Sequence, residues 1–307
     1  MVMVMGMVNF LRRWATAAGA PDGTRITGQA QRAGHPRRRR VVAWAWLAAW
    51  SMAGCGGGGD PVNDNNTTNS GLGDPTYVLS AGQVLVDHGG FKLVYDCAER
   101  SSVRYDYTLT TDTGTLPRPD AFTVEPLLPP GCAAQTNTAS YSSVHAGYDR
   151  GHLVTSNHMD GNAAWLAAAN HMSNVAPQVS SFNQGLWLDV ENVAECYRDL
   201  APVRVIGGLV YNDPSNDYFV ASHGVRTPDI FWKLVITSDP ATGSLRAIAW
   251  LIPNNVVLNA LDHYLVSVTE LEQAVGADRV SAPALPADLR NMRAASTWAR
   301  PAGCSLG

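Results

Sequence analysis

The residue types best suited to chemistry lie in a run of four: Asp149, Arg150, Gly151 and His152. Further along the chain, a polar stretch adds amides and a carboxylate, namely Asn174, Gln178, Asn183 and Glu191. An imidazole can remove a proton from water, and an arginine can neutralise phosphoryl charge. Amide and carboxylate oxygens can hold a hard cation. These residue types, if brought together, would suit the metal-assisted cleavage of a phosphodiester bond.

Asn183 and Glu191 belong to a stretch whose apolar residues recur every three or four positions, which predicts a helix over residues 183–200. Eight residues on a helix correspond to about 12 Å, so the two side chains can hardly both bind one ion directly. An amide ligand with a carboxylate holding the waters of the ion is the easier arrangement. Magnesium keeps several waters, so one protein ligand is physically sensible. A helix N-cap is the alternative role for Asn183.

The elements that must position these residues follow from hydrophobic patterning. Strands are predicted over residues 84–87, 91–95, 103–110, 203–211, 231–237 and 245–252. Helices are predicted over residues 161–170, 183–200 and 261–275, the last closed by Gly276. Residues 114–143 are rich in Pro, Gly, Thr and Ser and are predicted to form a long ordered loop. Mainly adjacent strands interrupted by helices indicate an α+β domain with a largely antiparallel sheet.

The same residues resemble the DNA/RNA non-specific endonuclease family, which includes the Serratia-type nucleases and mitochondrial endonuclease G. The resemblance rests on DRGH at 149–152, SN at 173–174, PQ at 177–178 and NQG at 183–185, with Trp187 and Glu191. Weaker similarity extends over most of residues 77–276. It implies the ββα-metal (His-Me finger) fold, with a mainly antiparallel central sheet flanked by helices.

The resemblance also implies an activity and the residues that perform it. The expected enzyme is a metal-dependent hydrolase that cleaves DNA and RNA. His152 would be the general base that deprotonates water. Asn183 would be the sole protein ligand of Mg²⁺, with Mn²⁺ as the alternative ion, and Glu191 would orient the waters on that ion.

Four further site residues are implied in supporting roles. Arg150 would stabilise the phosphoryl charge, and Asp149 would support the waters on the ion or the histidine. Asn174 and Gln178 would fix the loop and the base. One departure concerns substrate binding: Serratia-type members carry an arginine one helical turn after the glutamate, where this chain has Glu195, with Arg198 as the nearest substitute.

The amino-terminal segment predicts export. Four arginines at 37–40 precede an apolar run over 41–53 and the pair Gly54-Cys55, which is typical of a secretory signal too short to span a bilayer comfortably. Residues 52–55 resemble a bacterial lipoprotein box, which predicts a lipid anchor at Cys55 that faces the periplasm or cell surface, with Gly56 compatible with the outer membrane. A plain signal peptide, a single membrane anchor and a secreted or soluble periplasmic protein are the alternatives.

The predicted domain order is a leader with its signal over residues 1–55, a flexible Gly/Asn-rich tether over 56–76 and one endonuclease domain over 77–307. Beyond Cys55 the chain holds an even number of cysteines, which in an exported protein predicts two disulfides. Four cysteines allow three disulfide connectivities, and all three are open. The favoured pairing is Cys97–Cys132 and Cys196–Cys304, because each of these bonds would tie a loop or tail to its neighbour.

Charge argues against tight, extended binding to duplex DNA. The first 55 residues hold eight arginines, no lysine and one acid, so the remaining chain carries 14 basic and 25 acidic side chains. Phosphate contacts supply most non-specific affinity for nucleic acids, and a net charge near −11 opposes them. A phosphodiesterase that acts on small nucleotides therefore stays open as an alternative. A vestigial surface binding module is the other, although intact His152, Asn183 and Glu191 argue against it.

The remaining candidate residues have simpler interpretations. Six other histidines are predicted to be structural: His88, His145, His158, His171, His223 and His263. Trp187 and Trp232 are predicted to lie in the core, and Lys233 and Arg226 on the solvated surface. No obligate protein partner is predicted.

Overall fold

An antiparallel sheet of seven strands forms the centre of the protein, whose computed structural model describes residues 62–63, 72–73, 75–255 and 260–306. The strands are β1 (Val62–Asn63), β2 (Thr76–Tyr77), β3 (Gln83–Asp87), β4 (Lys92–Asp96), β5 (Ser101–Leu109), β6 (Tyr148–His152), β7 (Val175–Val179), β8 (Val203–Val210), β9 (Ile230–Ser238), β10 (Leu245–Pro253) and β11 (Leu265–Val266). The central sheet has the order β11-β10-β9-β8-β5-β4-β3. The predicted α+β class with a mainly antiparallel sheet is confirmed.

Strand β8 is buried along its whole length, because other elements cover both faces of the sheet. Its glycine pair is a packing requirement. A Cβ atom at Gly207 would lie 2.1 Å from the Tyr105 hydroxyl, and one at Gly208 would lie 2.2 Å from the Val103 carbonyl oxygen. Glycine at both positions therefore lets β5 approach β8 closely.

Helices lie between and after the strands: α1 (Ala163–Ala169), α2 (Ser180–Phe182), α3 (Leu188–Arg198), α4 (Val268–Val275), α5 (Ala277–Val280) and α6 (Ala287–Asn291). Helix α1 begins after Asn162, whose side chain accepts from the backbone N–H groups of Ala164 and Trp165. Helix α3 buries Val190 and Ala194 and contacts β8 and β9. Among the helices that the structure describes, none has the length and apolar character needed to cross a membrane.

The predicted helix over 261–275 is wrong in its first half. Leu261–Tyr264 is a 3₁₀ turn, and β11 then pairs with β10 at the edge of the sheet. The apolar residues of this stretch are buried by strand pairing, which overrides the helical spacing read from sequence. Helix α4 begins only after Ser267, which forms a capping box with Glu270, and it ends at Gly276 with φ 101° as predicted.

Strands β6 and β7 form a separate antiparallel pair. The register joins Tyr148 to Val179 and His152 to Val175, and α1 lies between the two strands in the chain. After β7 the chain passes directly into α2, a π-helical turn over Asn183–Trp187, and α3. This strand–strand–helix unit carries the candidate site residues.

Described residues ahead of residue 77, the predicted start of the domain, also contact the rest of the chain. Strand β1 pairs with β2, and Leu72 is buried. The Arg204 guanidinium donates to the carbonyl oxygen of Gly73 at 2.9 Å and is itself paired with Asp106. Leu72 and Gly73 of the predicted tether therefore contact the folded domain. The predicted signal and Cys55 lie outside the described residues.

Two disulfides close the fold, and their pairing is the favoured one. Cys97 bonds to Cys132, which ties the turn after β4 to the long loop. Cys196 of α3 bonds to Cys304, which ties the carboxyl-terminal tail to the helix. Both bonds are consistent with export to an oxidising compartment.

Candidate active site

Strand β6 presents its four motif residues alternately on two faces. Arg150 and His152 share one face, where both contact Phe122: the Arg150 guanidinium lies 3.8 Å from the ring centroid, and the His152 ring lies 5.5 Å from it. Gly151 lies on the other face against Gln178, whose Oε1 would be 2.1 Å from an added Cβ atom. The motif therefore needs glycine at its third position.

His152 is held by an amide. Its Nε2 lies 2.9 Å from Asn170 Oδ1. The Asn170 amide nitrogen donates to the carbonyl oxygens of Pro119 and Ala121, so the amide oxygen must face the imidazole. Nε2 therefore carries the hydrogen, and the lone pair is on Nδ1, which lies 3.4 Å from the Arg118 guanidinium.

The surroundings keep this imidazole neutral. Burial, followed by the positive charge of Arg118, lowers the pKa of His152 to about 4, although the Asn170 hydrogen bond opposes the shift. Arg150 acts in the same direction as Arg118. At neutral pH the side chain is therefore in the form that can accept a proton.

Asp149 lies on the opposite face of β6 and gathers the start of the helical segment. Its carboxylate accepts from the Ser180 hydroxyl at 2.7 Å, from Asn183 Nδ2 at 3.0 Å and from Gln184 Nε2 at 2.8 Å. Partial burial raises the pKa of Asp149, but these three donors outweigh it and give a net lowering. Arg150 does not pair with Asp149; it donates to the Thr138 carbonyl oxygen instead.

Asn183 lies at a break in the helix. The helical segment begins at Ser180, and Asn183 has helical angles (φ −55°, ψ −49°), so the N-cap alternative is wrong. The π-helical turn begins at Asn183 itself and is kinked at Gly185, which has non-helical angles (φ −113°, ψ −109°). Such turns often occur at functional sites. Here the turn separates Asn183 from the regular helix that carries Glu191.

Glu191 is paired with a buried lysine. Lys233 Nζ lies 4.0 Å from Glu191 Oε1 and 4.2 Å from the ring centroid of Trp187. Burial raises the pKa of Glu191, and the Lys233 charge opposes that rise. Burial also lowers the pKa of Lys233 to about 8. The surface prediction for Lys233 is wrong, because the side chain is fully buried, whereas the core prediction for Trp187 is confirmed.

Asn174 is hydrogen-bonded to the backbone just after His152, and Gln178 packs against Gly151. The Asn174 amide accepts from Val154 N and donates to the carbonyl oxygens of Val154 and Ala169, so it joins the chain after β6 to the end of α1. Gln178 is fully buried against Gly151. Both residues lie behind the cleft wall.

One cleft of about 480 Å³ brings the predicted residues together. Those that line it are Arg150, His152, Asn183 and Glu191. Arg118 also lines the cleft, and sequence reasoning missed it together with Asn170 and Phe122. A cation flanked by prolines in the long loop is the one signal that could have indicated Arg118. Asn170 could be recognised only as the end of a predicted helix.

Comparison with protein families places these residues in a known group. The family described as DNA/RNA non-specific endonuclease matches residues 69–285, a range that includes the whole cleft apart from Leu306. The chain belongs to this family.

Curated relatives of the non-specific endonuclease family are similar in sequence. The mitochondrial endonuclease G of Bos taurus is 29% identical over 205 residues, which cover 56% of this chain and 66% of that protein. A nuclease of Nostoc sp. is 32% identical over 178 residues, covering 55% and 62%. The nuclease of Serratia marcescens is 27% identical over 177 residues, covering 55% and 65%. The chain thus spans less than two thirds of these relatives' lengths.

A solved structure confirms the predicted ββα-metal fold. The crystal structure of an EndoG/EndoGI complex matches with a TM-score of 0.52 at 22% identity, covering 62% of this chain and 83% of that one. At this identity the likeness concerns the fold alone.

Arg198 does not substitute for the arginine that Serratia-type members carry one helical turn after the glutamate. That side chain is buried and donates to the Thr110 carbonyl oxygen at 2.7 Å, with Asp112 and Glu195 at 3.4 Å. Glu195 also lies 3.3 Å from His158. Arg198 thus belongs to a separate buried network, and Arg118 is the second guanidinium of the cleft.

Proposed function

We propose that the protein is a metal-dependent endonuclease that hydrolyses phosphodiester bonds in both DNA and RNA. The observation that carries the proposal is the pairing, in one cleft, of a neutral histidine base with an amide placed to bind a cation: His152 and Asn183. Membership of the non-specific endonuclease family supports it.

The residues present fit a hard divalent cation such as Mg²⁺, with Mn²⁺ as the alternative. The Asn183 amide nitrogen donates to Asp149, so its carbonyl oxygen is the atom left to act as a ligand. Glu191 lines the same cleft and would contribute through intervening water molecules. Oxygen ligands with several retained waters suit magnesium. When bound, the ion would polarise the phosphate and stabilise the charge on the departing oxygen.

The remaining steps use the side chains of the cleft. A water that replaced the long Arg118 hydrogen bond of 3.4 Å would give its proton to His152 Nδ1, while Nε2–H stays bonded to Asn170, which fixes the ring. Arg118 and Arg150 provide positive charge for the phosphoryl oxygens. Asp149 holds Asn183 through the hydrogen bond at 3.0 Å. Each role is a proposal from this geometry.

A phosphodiesterase that acts on small nucleotides is the second candidate, because one observation favours it. The two arginines of the cleft, Arg118 and Arg150, are balanced by Asp160 and Glu191 in the same wall, and the domain as a whole is acidic. Steering of a long polyanion would therefore be weak. Activity on a dinucleotide without activity on plasmid DNA or long RNA would favour this candidate.

The decisive experiment is cleavage of plasmid DNA and single-stranded RNA by the purified protein with Mg²⁺ or with EDTA. We expect cleavage that EDTA abolishes, and a loss of about 10²–10⁴-fold in His152→Ala, the usual contribution of a general base. His263→Ala, which changes an exposed histidine, is the matched control and should retain activity. Undiminished cleavage by His152→Ala would contradict the mechanism, and EDTA-resistant cleavage would contradict metal dependence.

We further propose that residues 1–55 form a leader with a lipid anchor at Cys55, ahead of a single endonuclease domain. The basic and apolar segments and the Gly54-Cys55 pair support this arrangement. Cys55→Ser should then release the protein from the membrane into the soluble periplasmic fraction. Membrane association that survives the substitution would contradict lipidation.

A further inference from the structure

Three side chains from distant parts of the chain converge outside the cleft. His88 lies in the turn between β3 and β4, Glu125 in the long loop after β5, and His171 directly after α1. Glu125 Oε2 lies 3.1 Å from His88 Nε2 and 3.4 Å from His171 Nδ1. All three candidate ligand atoms lie within 4.8 Å of one another.

These separations suit simultaneous binding of one ion. Zinc binds nitrogen and carboxylate oxygen at about 2.0–2.2 Å, so ligand atoms at two corners of a tetrahedron are roughly 3.4 Å apart. Both distances to Glu125 are close to that value, and the third pair of ligand atoms lies within 4.8 Å. The side chains are well shielded, with exposed fractions of 4% for His88, 1% for Glu125 and 16% for His171.

Hydrogen bonding within the described residues leaves part of this cluster unexplained. His171 Nδ1 is buried, points at the carboxylate and has no hydrogen-bond partner of suitable geometry in the described part of the chain. An unsatisfied buried polar atom carries a desolvation penalty of about 1–3 kcal/mol. A ligand that accepted the nitrogen lone pair would remove that penalty.

We propose that His88, Glu125 and His171 form a second metal site, which binds Zn²⁺ or a similar transition-metal ion. Two imidazoles and one carboxylate form a ligand set that zinc uses with a water in the fourth position. The Ser173 hydroxyl also donates to Glu125 Oε2. Magnesium prefers oxygen ligands, so this nitrogen-rich set differs in kind from the Asn183 site.

The position of the site in the fold gives it a structural role. Glu125 belongs to the long loop that also supplies Arg118 and Phe122 to the cleft. This loop runs beside the end of α1, where Thr123 N donates to the Asn170 carbonyl oxygen and Thr123 O accepts from Met172 N. A metal ion that joined Glu125 to His88 and His171 would anchor the loop to the β3–β4 turn and to α1.

The experiment measures binding of Zn²⁺ and of Co²⁺ to the full-length protein, with Mg²⁺ present in excess to occupy the cleft. Calorimetry gives stoichiometry and affinity, and the visible absorption of Co²⁺ reports nitrogen ligands and coordination number. Glu125→Gln and His171→Ala test the ligands, His263→Ala is the matched histidine control, and His152→Ala tests whether binding occurs in the cleft instead.

We expect one equivalent of Zn²⁺ and a four-coordinate Co²⁺ spectrum for the unchanged protein, for His263→Ala and for His152→Ala. Loss of an outer partner of a metal site costs about 10–100-fold in affinity, so loss of a direct ligand in Glu125→Gln should exceed about 100-fold. Circular dichroism at 25 °C confirms that each variant is folded. Absence of stoichiometric binding, or binding retained in both folded ligand variants, would overturn the proposal.

Discussion

The molecule places histidines in two different settings on either side of a single peptide link, between Asn170 and His171. On one side, His152 is hydrogen-bonded to the neutral Asn170 amide, inside a cleft that also holds two guanidinium groups. On the other, His171 and His88 face the carboxylate of Glu125. The same residue type is therefore a candidate base in one setting and a candidate metal ligand in the other.

The group that each histidine faces, an amide or a carboxylate, accounts for the difference between the two settings. An amide adds no charge, so burial and the neighbouring arginines lower the pKa of His152 to about 4 and keep it unprotonated. Burial raises the pKa of Glu125, but His171, His88 and Ser173 outweigh that effect and hold its pKa well below the usual range. A charged oxygen beside two imidazoles attracts a cation, whereas an imidazole beside an amide stays neutral and keeps the lone pair that a base needs.

The largest expected effect comes from removing the amide that would hold a cation in the cleft. Asn183→Ala should lower the rate of DNA and RNA cleavage in Mg²⁺ by about 10³-fold, because a metal ion supplies several kcal/mol of charge stabilisation and each 1.4 kcal/mol corresponds to tenfold. The measurement is the initial rate over a range of Mg²⁺ concentrations.

Gln184→Ala is the matched control for Asn183→Ala. Both side chains donate to the same oxygen of Asp149, at 2.8 Å from Gln184 and 3.0 Å from Asn183. If Asn183 served only to hold Asp149, the two substitutions would reduce the rate equally. A loss below tenfold in Gln184→Ala beside a large loss in Asn183→Ala would support the ligand role; equal losses would contradict it.

A smaller effect should follow when the Asn170 amide, which is bonded to His152, is changed into a carboxylate. His152 would then face a carboxylate, as His171 does. Asn170→Asp should raise the pKa of His152, because a negative partner favours the imidazolium form. Activity requires the neutral base, so it falls as the pH decreases through this pKa. The acidic limb, expected near pH 4 in the unchanged protein, should move upward by at least about one pH unit, which corresponds to roughly fivefold lower activity at pH 4.

Asn170 is a positioning residue, so its test needs a readout besides rate. Asn170→Ala also loses the hydrogen bonds to Pro119 and Ala121 but adds no charge. Both variants should be slower, yet only Asn170→Asp should move the acidic limb toward higher pH. An unmoved limb in Asn170→Asp would show that His152 is not the group whose ionisation limits activity.

The sequence was sufficient to identify candidate site residues that lie close together along the chain. His152, Asn183 and Glu191 come from two neighbouring motifs, and the structure brings all three to one cleft. The antiparallel sheet was predictable because alternation and apolar runs report strands directly. The favoured disulfide pairing followed from the proximity of loop to loop and tail to helix.

Residues that depend on distant contacts could not be predicted in this way. Asn170 reaches His152 only because its amide nitrogen is held by carbonyl oxygens of the long loop. The π-helical turn is invisible to a periodicity of 3.6, since it depends on one non-helical glycine, Gly185. The burial of Lys233 depends on the facing Glu191 and the Trp187 ring, two contacts that its own position in the sequence does not reveal.

The smallest expected effect on activity comes from Glu125→Gln. In this variant His88 and His171 would face a neutral amide, as His152 does. The substitution replaces the carboxylate with an amide of the same shape and removes the charge that His88 and His171 share. Without added zinc, the rate of cleavage at pH 7 should stay within a factor of about five, which corresponds to 1 kcal/mol.

The physical reason is that Asn170 is fixed by its own bonds to Pro119 and Ala121, whereas Glu125 is hydrogen-bonded to His88, Ser173 and the Leu127 backbone N–H. His263→Ala, measured in parallel, sets the variation expected from an unrelated surface substitution. A loss in Glu125→Gln as large as that in Asn170→Ala would show that the two histidine settings are not independent. The loop from Pro119 to Glu125 would then transmit changes in one to the other.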